Sequence, residues 1–195
     1  MKKYKLTDES IKIFGVKLFR IVSLRTFGNT KKGEKGGFVE KEENLDHNGN
    51  AWVSGNARVS GDARVYGNAL VYGDAQVYGD AWVSGDAQVY RDARVSGDAW
   101  VSGDALVYGN AQVYGDARVS GNAQVYGNAQ VYRDAWVSGD ARVSGNAQVY
   151  GDAWVSIRAD FRAKMKMSSE IPRLTFEKDS EFTEYLKVIQ KWVKS

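Results

Sequence analysis

Gly49-Asn50-Ala51-Trp52-Val53-Ser54 opens a run that closes, without insertion or deletion, on Gly151-Asp152-Ala153-Trp154-Val155-Ser156. Eighteen consecutive hexads of the form Gly-(Asn/Asp)-Ala-x-Val-(Ser/Tyr) fill residues 49–156. Ala and Val hold their places in every copy, and Gly yields only at Arg91 and Arg133. Self-similarity this strict means one structural unit stacked on itself, and it outranks any single helix or strand assignment. Within the hexad, Ala-x-Val alternates with period two, so Ala and Val share one face of a short strand and x takes the other. The (Ser/Tyr)-Gly-(Asn/Asp) that follows is turn chemistry: glycine accepts positive φ, and Asn or Asp bonds its own backbone. Three strand residues are too few for a hairpin ladder. They suit a coil with strands for sides and turns for corners, its backbone partners lying in the next coil about 4.8 Å away. Only Ala and Val point inward, so the interior is narrow.

These hexads resemble the hexapeptide-repeat superfamily of left-handed β-helices, and the resemblance covers 108 of 195 residues. It implies an all-β solenoid: a left-handed parallel β-helix of triangular coils, three hexads and eighteen residues to the coil. One departure bears on corner geometry. Superfamily hexads place a small residue directly after the inward aliphatic, whereas here Ser or Tyr follows Val and Gly comes one later.

Six coils of eighteen residues put positions eighteen apart into columns. One outward column reads Arg64, Trp82, Trp100, Arg118, Trp136, Trp154, which gathers four of the five repeat tryptophans on one face. The second reads Arg58, Gln76, Arg94, Gln112, Gln130, Gln148, and the third Trp52, Leu70, Gln88, Leu106, Gln124, Arg142. The corner leading into the Trp/Arg face is all acid: Asp62, Asp80, Asp98, Asp116, Asp134 and Asp152. The other two corners mix Asn and Asp. Every repeat Trp has Ser two residues on, never Tyr, which is a packing signal.

Three segments follow: a β-rich N-terminal cap with a first irregular coil over 1–48, the regular β-helix over 49–156, and a degenerate last coil plus C-terminal α-helix over 157–195. Ile11 to Phe14, Gly15 and Val16 to Leu24 predict a hairpin. Residues 29–37 predict a polar, mobile surface loop; without a Gly-Lys-Ser/Thr ending it is not a phosphate-binding loop. Val39 and Leu45, six apart, begin the solenoid, with His47-Asn48 as a two-residue slip before the regular register. Gly36-Gly37-Phe38-Val39-Glu40-Lys41-Glu42-Glu43-Asn44-Leu45 resembles the leader of hexapeptide-repeat proteins from bacterial prophages. Alternation persists from Ile157 through Phe161 to Met167. Beyond Pro172, Phe182, Leu186, Ile189 and Val193 fall at helical spacing, predicting a helix from about Asp179 that covers an open end or a shaft face.

The net charge of +3 hides a division. Residues 1–48 net +4 and residues 157–195 net +3, while the repeats, with seven Arg against eleven Asp, net −4. An acidic shaft argues against nucleic acid as the favoured partner. No cysteine is present, which excludes disulfides and thiolate metal sites. No apolar run approaches membrane-spanning length, so a cytoplasmic protein without a membrane partner is expected.

Superfamily relatives include acyl- and nucleotidyltransferases that use a histidine base and a loop thrown out of a coil. Here the one histidine, His47, lies outside the regular coils and the repeats throw out no loop, so no catalytic residue, cofactor or metal is expected. The Trp/Arg column suits base or sugar stacking, a protein interface, or burial against a second copy or the C-terminal helix. The acidic column invites divalent cations such as calcium; solvated turn caps are the simpler expectation. The expected function is a non-catalytic binding or scaffold protein that presents a rigid face to a protein partner or to itself. The prophage resemblance implies a structural phage product or an inhibitor of a host defence such as CRISPR. An acyltransferase-like enzyme, or its degenerate relative, is the alternative.

Overall fold

The computed structural model describes residues 2–156, 160–161 and 166–167. Three sheets run along the repeats, and each lap of chain adds one strand of two to four residues to each of them. The lap is eighteen residues. In one sheet Trp100 pairs in parallel with Trp82 and Arg118; in another Gln88 pairs with Leu70 and Leu106; in the third Arg94 pairs with Gln76 and Gln112. Backbone hydrogen bonds run between laps. Trp82 donates to the Ala99 carbonyl and Ser84 to that of Val101, each at 2.9 Å. All eighteen Ala and all eighteen Val of the hexads are buried, none more than 8% exposed. The hexad thus reads as expected: two small apolar side chains fill a narrow interior, and the strand residues find their backbone partners in other laps.

The corners explain the glycines. At Gly103 φ is +67°, and a Cβ there would stand 2.9 Å from the backbone nitrogen of Gly121 one lap on. Arg91 and Arg133 keep the same left-handed backbone, at φ 61° and 60°, which costs a non-glycine residue about 1 kcal/mol. Each guanidinium lies over a tyrosine ring of the next lap, Arg91 at 6.0 Å from Tyr108 and Arg133 at 5.9 Å from Tyr150.

An antiparallel hairpin caps the N-terminal end. Its strands are β1 (Tyr4–Ile13) and β2 (Val16–Ser23), joined through Phe14 and Gly15 at positive φ. The hairpin expected from Ile11 is real and begins seven residues earlier. β3 (Lys35–Val39) pairs antiparallel with β2 and parallel with Arg58–Val59, so the first regular strand of that sheet is covered rather than left as an open edge. Val39 sits on Val59 and Leu45 on Val65, both twenty residues apart rather than eighteen, which accommodates the slip at His47-Asn48.

The loop expected over 29–37 requires correction. Lys35, Gly36 and Gly37 belong to β3, and both glycines are buried. A Cβ on Gly36 would meet Ile21 at 2.4 Å, and one on Gly37 the Ala57 carbonyl oxygen at 2.6 Å. These glycines serve close packing. At the other end, Asp160–Phe161 pairs with Arg142–Val143 and Lys166–Met167 with Gln148–Val149, so the eighteen-residue offset continues past the last regular hexad. The helix expected from about Asp179 lies outside the described residues. Among the described residues no helix is long and apolar enough to cross a membrane.

Lys3 ties the cap to the first lap. Its side chain is fully buried, donating to the carbonyl of Ala51 at 2.8 Å and lying 5.0 Å from the Phe27 ring centre. Burial pushes its ammonium down from 10.5 to about 8, against a smaller opposing pull from Asp46. The folded state therefore binds the proton less well than the unfolded chain, a penalty fully present below about pH 8 and relieved as pH rises towards 10.5. Urea midpoints should rise between about pH 7 and pH 9.5, by on the order of 2 kcal/mol of stability, and Lys3→Met should flatten that slope. Gly103→Ala should cost about 1–2 kcal/mol by urea denaturation, because it adds both the positive-φ penalty and the contact with the next lap.

Candidate functional site: a tryptophan and arginine face

One sheet carries the Trp/Arg column in the expected order. Its parallel pairs run Arg64 to Trp82, Trp82 to Trp100, Trp100 to Arg118, Arg118 to Trp136 and Trp136 to Trp154. Trp82, Trp100 and Trp136 are 40%, 42% and 38% exposed. The fifth repeat tryptophan, Trp52, belongs to a different sheet and is buried edge-on against Tyr4 and Phe27 in the cap.

The indoles are held, not loose. Trp100, Trp136 and Trp154 each donate their ring N–H to a serine hydroxyl of the preceding lap, Ser84 at 3.3 Å, Ser120 at 3.1 Å and Ser138 at 3.0 Å. Each acceptor stands two residues after the outward side chain of its own lap, Ser84 after Trp82, Ser120 after Arg118 and Ser138 after Trp136, and serves the tryptophan one lap later. Trp82 looks back on Tyr66 instead and packs edge-on to it at 5.8 Å and 88°. That difference changes the stacking. Trp136 and Trp154 lie nearly parallel, 5.1 Å apart and 9° inclined, whereas Trp82 and Trp100 meet edge to face at 64°. Arg64 sits 5.9 Å over the Trp82 ring. Between Trp100 and Trp136, Arg118 and the flanking Ser102 and Ser120 line a notch of about 180 Å³.

The acidic column occupies the corner entering this face. Asp62 is bonded by the Lys41 ammonium at 2.6 Å, which holds its carboxyl below the usual range. The mixed corners behave differently. In one, Asn50 donates its side-chain amide to Asn68, and Asn68 to Asp86; in the other, Asn110 donates to Asn128, and Asn128 to Asn146. A carboxylate has no donor, so an all-Asp corner cannot build this ladder. Among the described residues no three His, Cys, Asp or Glu side chains lie close enough to hold a metal ion.

A cleft of about 470 Å³ opens where the cap meets the face, lined by Glu42, Glu43, Asp46, His47, Arg64, Tyr66 and Trp82 among others. Inspection of the repeats alone missed it, because it needs the first irregular lap. His47 is packed into the cap: its ring stacks 4.5 Å from that of Tyr4, and its Nδ1 accepts the Lys3 backbone N–H at 3.2 Å. Its Nε2 is buried, 3.8 Å from Glu42. The tyrosine ladders also went unread. Tyr72, Tyr90, Tyr108 and Tyr126 stack at 4.8–4.9 Å, and Tyr114, Tyr132 and Tyr150 at 4.9–5.0 Å. Eighteen-residue folding of the final hexad position would have revealed both.

Eight segments between residues 51 and 156 match one family repeat, described as the YdcK β-solenoid repeat; together they cover 51–103 and 111–156, half of the chain. The chain belongs to the YdcK β-solenoid repeat family. Membership agrees with the parallel solenoid, and the matched residues include every member of the Trp/Arg column. No curated protein matches the chain.

Removing a serine acceptor isolates the restraint on an indole. Ser120→Ala should cost no more than about 1 kcal/mol of stability and should raise acrylamide quenching of Trp136, with the β-sheet circular dichroism unchanged.

Proposed function

We propose that this protein is a non-catalytic scaffold whose Trp/Arg face binds a protein partner. One observation carries the reading: three indoles, each about 40% exposed, stand in line on a sheet whose backbone is locked by bonds to the neighbouring laps. Contiguous aromatic surface of this kind marks interaction sites, and Trp and Arg are the residues that dominate binding energy at protein interfaces. Serine-held rings cost little further ordering on binding. Protein is favoured over nucleic acid because the repeats net −4 and the face is edged by carboxylates, which repel phosphate. We read the solenoid as left-handed and triangular in section, of the hexapeptide type, on the strength of the hexad resemblance. The leader resemblance over 36–45 supports a phage-borne protein, structural or directed against a host defence.

The transferase alternative draws on the cleft beside His47. It is disfavoured chemically: Nδ1 already accepts a backbone bond and Nε2 is buried, so neither nitrogen is open to take a proton from a substrate. The test is a full-length Trp100→Ala/Trp136→Ala variant. With its β-sheet spectrum intact, it should bind a partner identified by mass spectrometry from the native host, and then purified, at least about 100-fold more weakly than the parent chain. Equal affinity for parent and variant would end the proposal.

A further inference from the structure

The geometry points to a second copy of this chain as the occupant of the Trp/Arg face, packed face to face with the two solenoids antiparallel; this rests on the reading of that face as a protein-binding surface. The column repeats with period three, Arg-Trp-Trp-Arg-Trp-Trp, from Arg64 to Trp154. Read backwards it becomes Trp-Trp-Arg-Trp-Trp-Arg. Laid against itself in opposite directions over all six laps, it places Arg64 on Trp154 of the partner subunit, Trp82 on the partner's Trp136, and Trp100 on the partner's Arg118. No arginine meets an arginine. Four of the six contacts pair a guanidinium with an indole, and the other two pair indoles.

The competing twofold keeps the solenoids parallel, and it sets Arg64 on Arg64 and Arg118 on Arg118, two like-charge contacts at the centre of the interface. The antiparallel twofold is closed and isologous, so it ends in a dimer rather than a fibre. Its axis lies along the strands, which keeps acidic corner against acidic corner. The indoles of Trp100, Trp136 and Trp154 lean the other way, towards the serine column that holds them, so the carboxylates fall at a solvated rim where salt screens them.

The size of the face sets the class of interface it can form. Three indoles some 40% exposed in each copy supply roughly 500 Å² of indole surface across the dimer, and the arginines and serines between them bring the total to about the 1,000 Å² of a small specific interface. Interfaces of this small class include the weak, reversible associations, so the equilibrium is sought over a wide concentration range.

Sedimentation of the full-length chain from about 1 to 300 μM should show a reversible monomer–dimer equilibrium, weakened at least tenfold by Trp100→Ala/Trp136→Ala. Orientation is read by cross-linking, made clean by the absence of native cysteine. Tyr66 and Ser156 stand at opposite ends of the serine column, five laps or about 24 Å apart. A short bismaleimide should join Tyr66→Cys chains to Ser156→Cys chains when the two are mixed, and should join neither variant to itself. Self-linking of each variant alone would establish the parallel arrangement and overturn the proposal. A monomer at every concentration would also overturn it, as would a photo-cross-linker at Trp136 reacting with residues 168–195 of its own chain. Those two results leave the protein-binding reading to its own test, loss of the host partner in the double variant.

Discussion

Backbone hydrogen bonds in this solenoid are made between laps, and that single condition governs the rest. A strand of two residues has no ladder of its own; Trp82 finds its acceptor at Ala99 and Ser84 at Val101, seventeen residues on. A lap of any other length would strand those donors in a buried interior, where an unmade bond costs on the order of 1–3 kcal/mol. The run 49–156 accordingly tolerates no insertion. The one slip in register, at His47-Asn48, is placed ahead of the regular coils, where the cap absorbs it and the pairs Val39–Val59 and Leu45–Val65 reach across twenty residues.

Separation of roles follows from the same geometry. Ala and Val fill the interior, glycine or an arginine in its conformation turns the corner, and neither varies in kind. The outward position is thereby released from folding duty and free to hold Arg, Trp, Gln or Leu. Because laps register, whatever stands there is repeated at strand spacing, and chemistry that is weak in one copy becomes a surface. Tyrosines become stacked ladders, asparagines become amide ladders, and four tryptophans with two arginines become a face. The cost appears with charge. An all-Asp corner repeats repulsion as faithfully as the other columns repeat attraction, and at its first lap Lys41 offsets it with an ion pair to Asp62.

Much of this was readable beforehand. The hexad gave away the lap, the inward Ala and Val, and the order of the Trp/Arg column, since each depends only on counting in sixes and eighteens. The hairpin at Val16 and the two-residue slip were equally plain. What escaped notice depended on neighbours a lap away. Ser two places after each Trp looked like a packing choice, whereas Ser84 and Ser138, together with Ser120 two places after Arg118, are acceptors for the next lap's indoles. Gly36 and Gly37 looked like loop residues until Ile21 and Ala57 were seen to leave no room for a Cβ.

Sequence alone thus decided the architecture, because a strict period converts one local preference into a stack whose only consistent pairing is lap on lap. Tertiary structure decided the orientation of the surface groups: Trp82 turns edge-on because Tyr66 rather than serine lies behind it, and His47 is stacked on Tyr4 in the wall of the adjoining cleft. Period fixes where a side chain is rooted. Where it points depends on the atoms packed beside it, and those belong to other laps.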